Sequence, residues 1–166
     1  MATVEVTFTP LPVHVRTARL VATAVARRCG VAESLLDEVR LAVGEACSRA
    51  VEAHQRHCPE EPIRVSLTDD GERFQVVVTD AVQGSEHDLP AGVSLPAGTG
   101  AEGGNGAALG VDFAVPAGGA SVPLRLPEDV GLAVIAGLAD DVRIASAGQG
   151  KGTSVTMIWK RRTAAY

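Results

Sequence analysis

Residues 41–51 are Leu41-Ala42-Val43-Gly44-Glu45-Ala46-Cys47-Ser48-Arg49-Ala50-Val51, and they lie inside the longest helical pattern of the chain. Apolar side chains recur every three or four positions from about residue 33 to residue 54, which predicts an amphipathic helix with one buried face. Glu45 and Arg49 are four residues apart and therefore share a face of this helix. Spacing alone indicates only a surface ion pair between them, worth about 0.3 kcal/mol. The predicted buried stripe consists of Leu35, Val39, Ala42, Ala46 and Ala50, widened by Leu36, Val43 and Cys47.

The segments around this helix predict a sheet that carries further helices. Alternating apolar and polar residues indicate strands, and the turn Asp69-Asp70-Gly71 is typical of a hairpin between two of them. Gly30 is placed to end an earlier helix. The predicted strands cover 4–9, 63–67, 74–79, 142–144 and 154–159, and the other helices cover 15–29 and 132–138. This order predicts an α/β fold of the α+β two-layer sandwich type, with a mixed, mostly antiparallel sheet and the helices on one face.

The length of 166 residues predicts a single domain, residues 1–166. Aromatic residues make up only 3%, so we expect a core of Val, Leu, Ile and Ala. A net charge of -5 argues against direct binding of nucleic acid, and no apolar run is long enough to span a membrane. The first residues lack the order of a signal peptide, and the three cysteines share no CxxC spacing. We therefore expect a cytoplasmic protein without a disulfide framework.

One region of the sequence lacks the apolar periodicity of the predicted helices and strands. More than half of the chain's 18 glycines fall between residues 81 and 127, together with several prolines and few large apolar residues. Such a composition predicts a flexible, Gly-rich lid or insert, which we place at about residues 84–126.

Four further segments contain residues suited to chemistry. Asp80 ends an apolar strand, where an Asp usually begins a turn. Gly131 and Gly152 either let the backbone approach a phosphate or only shape the chain. The segment 54–58 contains two histidines and a cysteine, but it follows a helix end and has no fourth ligand. We expect a frayed, exposed terminus there and no metal site.

Taken together, these segments resemble the GHKL (histidine-kinase-like) ATPase superfamily, and within it the anti-sigma-factor serine kinases. Glu45-Ala46-Cys47-Ser48-Arg49-Ala50-Val51 is similar to the N-box Glu-Ala-Cys-Thr-Asn-Ala-Val. The helix that begins at Gly131 resembles the Gly-Leu-x-Leu-Ile-x-x-Leu-x-Asp-x-Val pattern. Gly152-Thr153-Ser154-Val155-Thr156-Met157 matches the closing Gly-Thr-x-Val-x-Met strand. The likeness extends from Val4 to Trp159, and the abundant Ala, Val, Gly and Arg suit an actinobacterial source.

The resemblance implies roles for particular residues. Glu45 would be the base that orients or deprotonates the attacking hydroxyl, and Asp80 would read the adenine amino group. A nucleotide, ATP or ADP, would also meet Gly84, Gly131, Gly152 and Thr153.

The sequence departs from the family at three positions that would touch the nucleotide. Arg49 replaces the Asn that binds magnesium, and a guanidinium has no lone pair for a metal. It would either contact phosphate or pair with Glu45 and close the pocket. Val82 and Asp129 stand where the family has glycine, and Asp129 would add negative charge near the phosphates. Phosphoryl transfer depends on the metal, so we expect kinase activity to be impaired or lost and magnesium not to bind.

The resemblance also implies partner proteins. Arg16, Arg19 and Arg27 form a basic strip on the first helix, which is either an ordinary solvated face or a surface for an acidic partner. The leading hypothesis is a partner-switching regulator that binds a STAS-type anti-sigma-factor antagonist, a sigma factor or both. The alternatives are an active ATP-dependent serine kinase and a scaffold that sequesters the antagonist without nucleotide. Members of this family often dimerise, so a homodimer is one of the assemblies that the resemblance leaves open.

Overall fold

The computed structural model describes residues 1–82, 93–95, 128–147 and 152–161. For residues 93–95 and 128–130 it describes the backbone only. Within the described residues six strands form one sheet in the order β1-β2-β3-β6-β5-β4, and every pair of neighbours is antiparallel. The strands are β1 (Ala2–Phe8), β2 (Ile63–Asp69), β3 (Arg73–Thr79), β4 (Val93–Leu95), β5 (Asp141–Ser146) and β6 (Thr153–Lys160). The helices are α1 (Pro12–Arg28), α2 (Leu36–His57) and α3 (Glu128–Leu138), and a 3₁₀ turn, Glu33–Leu35, precedes α2.

The sheet places its apolar side chains in rows that cross several strands. Leu67 pairs with Val76, Val76 with Met157, and Met157 with Val142, so four buried side chains line up across β2, β3, β6 and β5. Residues that alternate along a strand point to opposite faces of a sheet, so these rows form its covered face. The helices pack against this face, which confirms the predicted two-layer α/β architecture.

Glycines with positive φ shape two chain reversals. Gly30 has a φ of 76° and ends α1, where Val31 N donates to Ala26 O and Gly30 N donates to Arg27 O. These two bonds form a Schellman motif, which satisfies carbonyls at the helix end. Gly71 has a φ of 91° in the β2–β3 hairpin. Both predicted turns are therefore confirmed.

The strand β4 corrects part of the sequence prediction. A Gly-rich insert without packed elements was expected at about residues 84–126, yet Val93–Leu95 pairs with β5 at the edge of the sheet. The open edge of β5 provides unpaired backbone groups, so three residues suffice to add a short strand there. The rest of that insert lies outside the described residues. Among the described helices, none has the length and apolar character needed to cross a membrane.

Both long helices bury rows of alanine side chains. Ala18, Ala22 and Ala26 are buried on α1 at spacings of four, and Ala42, Ala46 and Ala50 are buried at the same spacing on α2. Residues four apart lie on one side of a helix, so each helix presents a row of small side chains to the core. The side of α2 that meets α1 is a different one, where Arg19 lies across Gly44.

Enlarging one of these buried alanines is therefore expected to destabilise the fold. Ala22 is fully buried, and Ala22→Leu should lower the free energy of unfolding by about 1–3 kcal/mol through overpacking. The control is Ala24→Leu, because Ala24 is exposed on the same helix and should change stability by less than about 0.5 kcal/mol. Urea unfolding of both variants measures the difference, and equal losses would contradict tight packing around Ala22.

Candidate functional site

Asp80 connects the end of β3 to the start of β6. Its backbone N–H donates to Thr153 O at 2.9 Å. In return its carboxylate Oδ1 accepts a bond from Thr153 N at 3.0 Å, and a second from Val82 N at 3.1 Å. The residue is only 8% exposed. A buried carboxylate needs such donors, so three hydrogen bonds hold Asp80 in one orientation.

The second carboxylate oxygen of Asp80 is left for another partner. Among the described residues, Oδ2 has no hydrogen-bond donor. Because Oδ1 already accepts two bonds, a ligand with an N–H or O–H group would be recognised by Oδ2. An amino group such as that of adenine has the required donor. The geometry of Asp80 is therefore compatible with the role that the sequence predicts for it.

The turn before β6 can be formed only by a residue without a side chain. Gly152 has a φ of 95°, and a Cβ built on it would overlap the backbone carbonyl oxygen of Asp80. A β-carbon at this position would therefore push β6 away from the end of β3. Gly152 is required here for both its conformation and the close approach of two backbones. Gly152 and Thr153 thus come together with Asp80.

A second contact connects α2 and α3. A Cβ on Gly131 would lie 2.7 Å from Glu45 Oε1, which is closer than real β-carbons come to any heavy atom. The carboxylate of Glu45 therefore lies against the backbone of α3, and Gly131 makes room for it. Two residues that the sequence proposed for the site are in this way neighbours in space.

Arg49 does not pair with Glu45. Within the described residues no ion pair joins the two, although they lie one helical turn apart. Glu45 Oε1 is directed at Gly131, which gives a physical reason why the expected i,i+4 pair is not formed. Arg49 is half-buried, and its Nε is buried with no hydrogen-bond partner in the described part of the chain. The possibility that Arg49 closes the pocket through Glu45 is therefore wrong for this conformation.

The three arginines of α1 differ in their surroundings. Arg16 is exposed, and Arg27 forms an ion pair with Glu33 at 2.9 Å. Arg19 lies across the surface of α2, where a Cβ on Gly44 would overlap its guanidinium. Arg27 therefore pairs with its own chain and Arg19 contacts α2, whereas Arg16 forms no ion pair among the described residues.

Some predicted site residues are described only in part. Val82 is 3% exposed and is held beside Asp80 by its N–H bond to Oδ1. Asp129 belongs to the first turn of α3, but its side chain lies outside the described residues, as does all of Gly84. Among the residues that are described, no group of three or more His, Cys, Asp or Glu side chains is arranged to hold a metal.

The sequence prediction missed His54. It was expected in a frayed, exposed terminus, but α2 continues to His57 and the side chain of His54 is fully buried. Its Nδ1 lies 2.9 Å from Glu61 O, and its Nε2 lies 2.9 Å from Ala81 N. A signal was available, because one further step of four residues from Ala50 along the buried stripe of α2 reaches His54.

The three cysteines differ in how deeply they are buried, and only Cys47 is fully buried. All three are free thiols. Burial raises the pKa of Cys47 to about 12, against a small opposing effect of Arg19. Burial, followed by the carboxylate of Asp80, also raises the pKa of Cys58, which places this thiol near the end of β3.

An antiparallel sheet covered on one face by three helices, with a buried Asp after β3 tied to a Gly-Thr pair before β6, defines an ATPase domain of the GHKL class. A comparison with family models agrees: the model described as "Histidine kinase-like ATPase domain" matches residues 8–159. The chain belongs to this family. A search of curated proteins gave no significant match.

The close approach at Gly152 leads to a stability prediction with an internal control. Gly71 has nearly the same φ as Gly152, but nothing lies within 4 Å of a Cβ built on it. Gly71→Ala should therefore cost only the conformational strain, about 1–2 kcal/mol. Gly152→Ala should cost clearly more, because it must also separate β6 from Asp80.

Chemical unfolding of the two variants tests this difference. A loss for Gly152→Ala no greater than that for Gly71→Ala would argue against the contact between Gly152 and the Asp80 carbonyl. Amide exchange at Thr153 is a second measurement, because its N–H bond to Asp80 Oδ1 should open more often only in Gly152→Ala.

Proposed function

We propose that the chain is a cytoplasmic partner-switching regulator of the anti-sigma-factor type whose kinase activity is impaired or lost. Its partner is a STAS-type anti-sigma-factor antagonist, a sigma factor or both. The observation that carries this proposal is Arg49, a cation at the family's magnesium position, within a scaffold whose Asp80, Gly131 and Gly152 contacts are intact.

The residues present do not fit a magnesium ion at this position. Magnesium is bound by oxygen ligands with near-octahedral geometry, whereas Arg49 offers only N–H donors and a positive charge. Glu45 lies one turn away on α2, but a single carboxylate beside a guanidinium is a poor site for a dication. Efficient phosphoryl transfer requires metal-assisted charge stabilisation, so this chain is expected to be a weak kinase or an inactive one.

The same observation bears on how a nucleotide would be held. The buried Nε of Arg49 has no hydrogen-bond partner in the described part of the chain, which lowers the stability of the fold. An anion that accepts a hydrogen bond from Arg49 would remove this loss. We therefore infer that any ATP or ADP is bound without magnesium, with Asp80 Oδ2 reading the base and Arg49 contacting phosphate. In this arrangement the guanidinium supplies the positive charge that the ion supplies elsewhere in the family.

One observation favours the second candidate, an active serine kinase. Glu45 forms no ion pair among the described residues, and its carboxylate lies against Gly131. An unpaired carboxylate at this position is able to act as a base for a serine hydroxyl.

A buried Val82 beside Asp80, where the family has glycine, instead favours the third candidate, the scaffold that binds no nucleotide.

The outer face of α1 supports the partner-binding part of the proposal. Val13 is 67% exposed and Leu20 is 60% exposed, and Arg16 lies between them on the same helix. Exposed apolar residues next to a cation suit a protein surface that presents apolar and acidic groups. We assign this face to the antagonist or sigma factor.

Calorimetric titration with ATP, with and without magnesium, distinguishes the three candidates. We expect binding whose dissociation constant changes less than about threefold when magnesium is added, because the chain's own cation replaces the ion. Tight binding that requires magnesium would instead support the active kinase, and no binding under either condition would support the scaffold.

Substitution of Arg49 tests whether this residue is the reason that ATP binding does not depend on magnesium. Arg49→Asn should weaken magnesium-free ATP binding by about tenfold and make the remaining binding depend on magnesium. The matched control is Arg40→Asn, which removes an exposed arginine of the same helix that pairs with Asp37. If both variants bind ATP as the unaltered chain does, Arg49 is not a phosphate contact.

Partner binding is tested on α1. Arg16→Glu should weaken binding of individually purified STAS-domain proteins and sigma factors of the source organism by about tenfold or more, because it places like charges face to face. Arg28→Glu makes the same charge change on another side of the helix and should have little effect. Biolayer interferometry measures both variants, and equal affinities would move the partner surface away from Arg16.

A further inference from the structure

His54 is a buried polar side chain with two backbone partners. It belongs to the last turn of α2 and is fully shielded from solvent. Its ring lies between two segments that are distant from each other in sequence. Nδ1 is 2.9 Å from the carbonyl oxygen of Glu61, before β2, and Nε2 is 2.9 Å from the amide nitrogen of Ala81, after β3.

The two partners determine the protonation of the ring. A backbone amide can only donate, so Nε2 must accept and carries no hydrogen. A backbone carbonyl can only accept, so the hydrogen of the neutral ring is on Nδ1. His54 is therefore a neutral imidazole in a single tautomer, and no other assignment satisfies both contacts.

The contact with Ala81 completes the bonding of the segment that contains Asp80. The N–H of Asp80 donates to Thr153 O, the N–H of Val82 donates to Asp80 Oδ1, and the N–H between them, that of Ala81, donates to His54. Every backbone donor of residues 80–82 thus has a partner. His54 supplies the only one of the three that comes from a helix.

We propose that His54 is a positioning residue for the carboxylate of Asp80. By accepting the N–H of Ala81 it fixes the backbone on the C-terminal side of Asp80, and this keeps Val82 N within reach of Oδ1. With Oδ1 occupied by Val82 and Thr153, Oδ2 is the carboxylate oxygen left to accept a hydrogen bond from a ligand. The part of this proposal that concerns a nucleotide rests on the function proposed above.

The tautomer is tested first, in the unaltered chain. Long-range ¹H–¹⁵N correlation spectra distinguish a protonated from an unprotonated ring nitrogen. The expected result is a hydrogen on Nδ1 and none on Nε2. A hydrogen on Nε2 would overturn the proposal, because Ala81 would then face a donor.

Two amide substitutions separate the two contacts of His54. Gln carries its amide oxygen about as far from the backbone as Nε2 and can still accept from Ala81, whereas the shorter Asn reaches only the position of Nδ1. In His54→Asn, amide exchange at Val82 and Thr153 should be about fivefold faster or more, and in His54→Gln it should stay close to that of the unaltered chain. Unchanged exchange in His54→Asn would overturn the proposal.

A purely structural role predicts a different pattern. Amides in the centre of β3 and β6, around Val76 and Met157, report opening of the whole sheet. If they accelerate as much as Val82 and Thr153, His54 contributes to general stability only and the positioning role is wrong. If His54→Asn does not fold, the tautomer and the exchange of His54→Gln still decide, since rapid exchange at Val82 in His54→Gln would also be contrary to the proposal.

The ATP affinity of the same variants connects His54 to function. We expect His54→Asn to bind ATP about fivefold more weakly and His54→Gln to bind it as the unaltered chain does. If the unaltered chain binds no ATP, the proposed nucleotide site fails, while the exchange measurements still test the effect of His54 on Asp80. Equal ATP affinities in all three proteins would show that nucleotide binding does not depend on this positioning.

Discussion

The connection between the end of β3 and the start of β6 is the constraint on which the rest of this molecule depends. Asp80 and Thr153 exchange backbone and side-chain hydrogen bonds, and Gly152 allows their backbones to approach where no β-carbon would fit. β3 and β6 are adjacent strands in the middle of the sheet, so an error at this point would shift the register of both. The same bonds orient the carboxylate of Asp80. Fold and site therefore share a single set of contacts.

The candidate site is shaped by close contacts at the backbones of two glycines and contains few ion pairs. Gly131 makes room for Glu45, and Gly152 makes room for Asp80, so two glycines bring the two carboxylates to their places. Arg49 is the exception, because the buried part of its guanidinium has no partner within the described residues. The architecture of the family is therefore present in this chain, and the proposed change in chemistry rests on Arg49 alone.

The sequence predicted the local features of the fold well. Among the described residues, periodicity located the three helices and five of the six strands, and the turns at Gly30 and Gly71 are those that glycine chemistry indicates. These features depend on neighbours in the chain, which is why they can be derived from a single sequence. β4 was missed because its three residues obtain their hydrogen bonds from the distant edge of β5.

The errors at the site have the same origin. Glu45 and Arg49 were expected to pair because they are neighbours on one helix, but the contact of Glu45 with Gly131 joins segments far apart in sequence. His54 was expected to be exposed because it stands near a helix end, whereas its partners come from the two segments that flank β2 and β3. Residues suited to a ligand could be named from the family pattern. Their actual bonding partners required the tertiary structure.

The adjacency of Gly44 and Glu45 has a consequence for the helical layer. Arg19 of α1 lies across Gly44, and the carboxylate of Glu45 lies against Gly131 of α3. Two neighbouring residues of α2 therefore carry contacts to both of the other helices, and the packing of α1 on α2 meets the candidate site one residue away from Glu45.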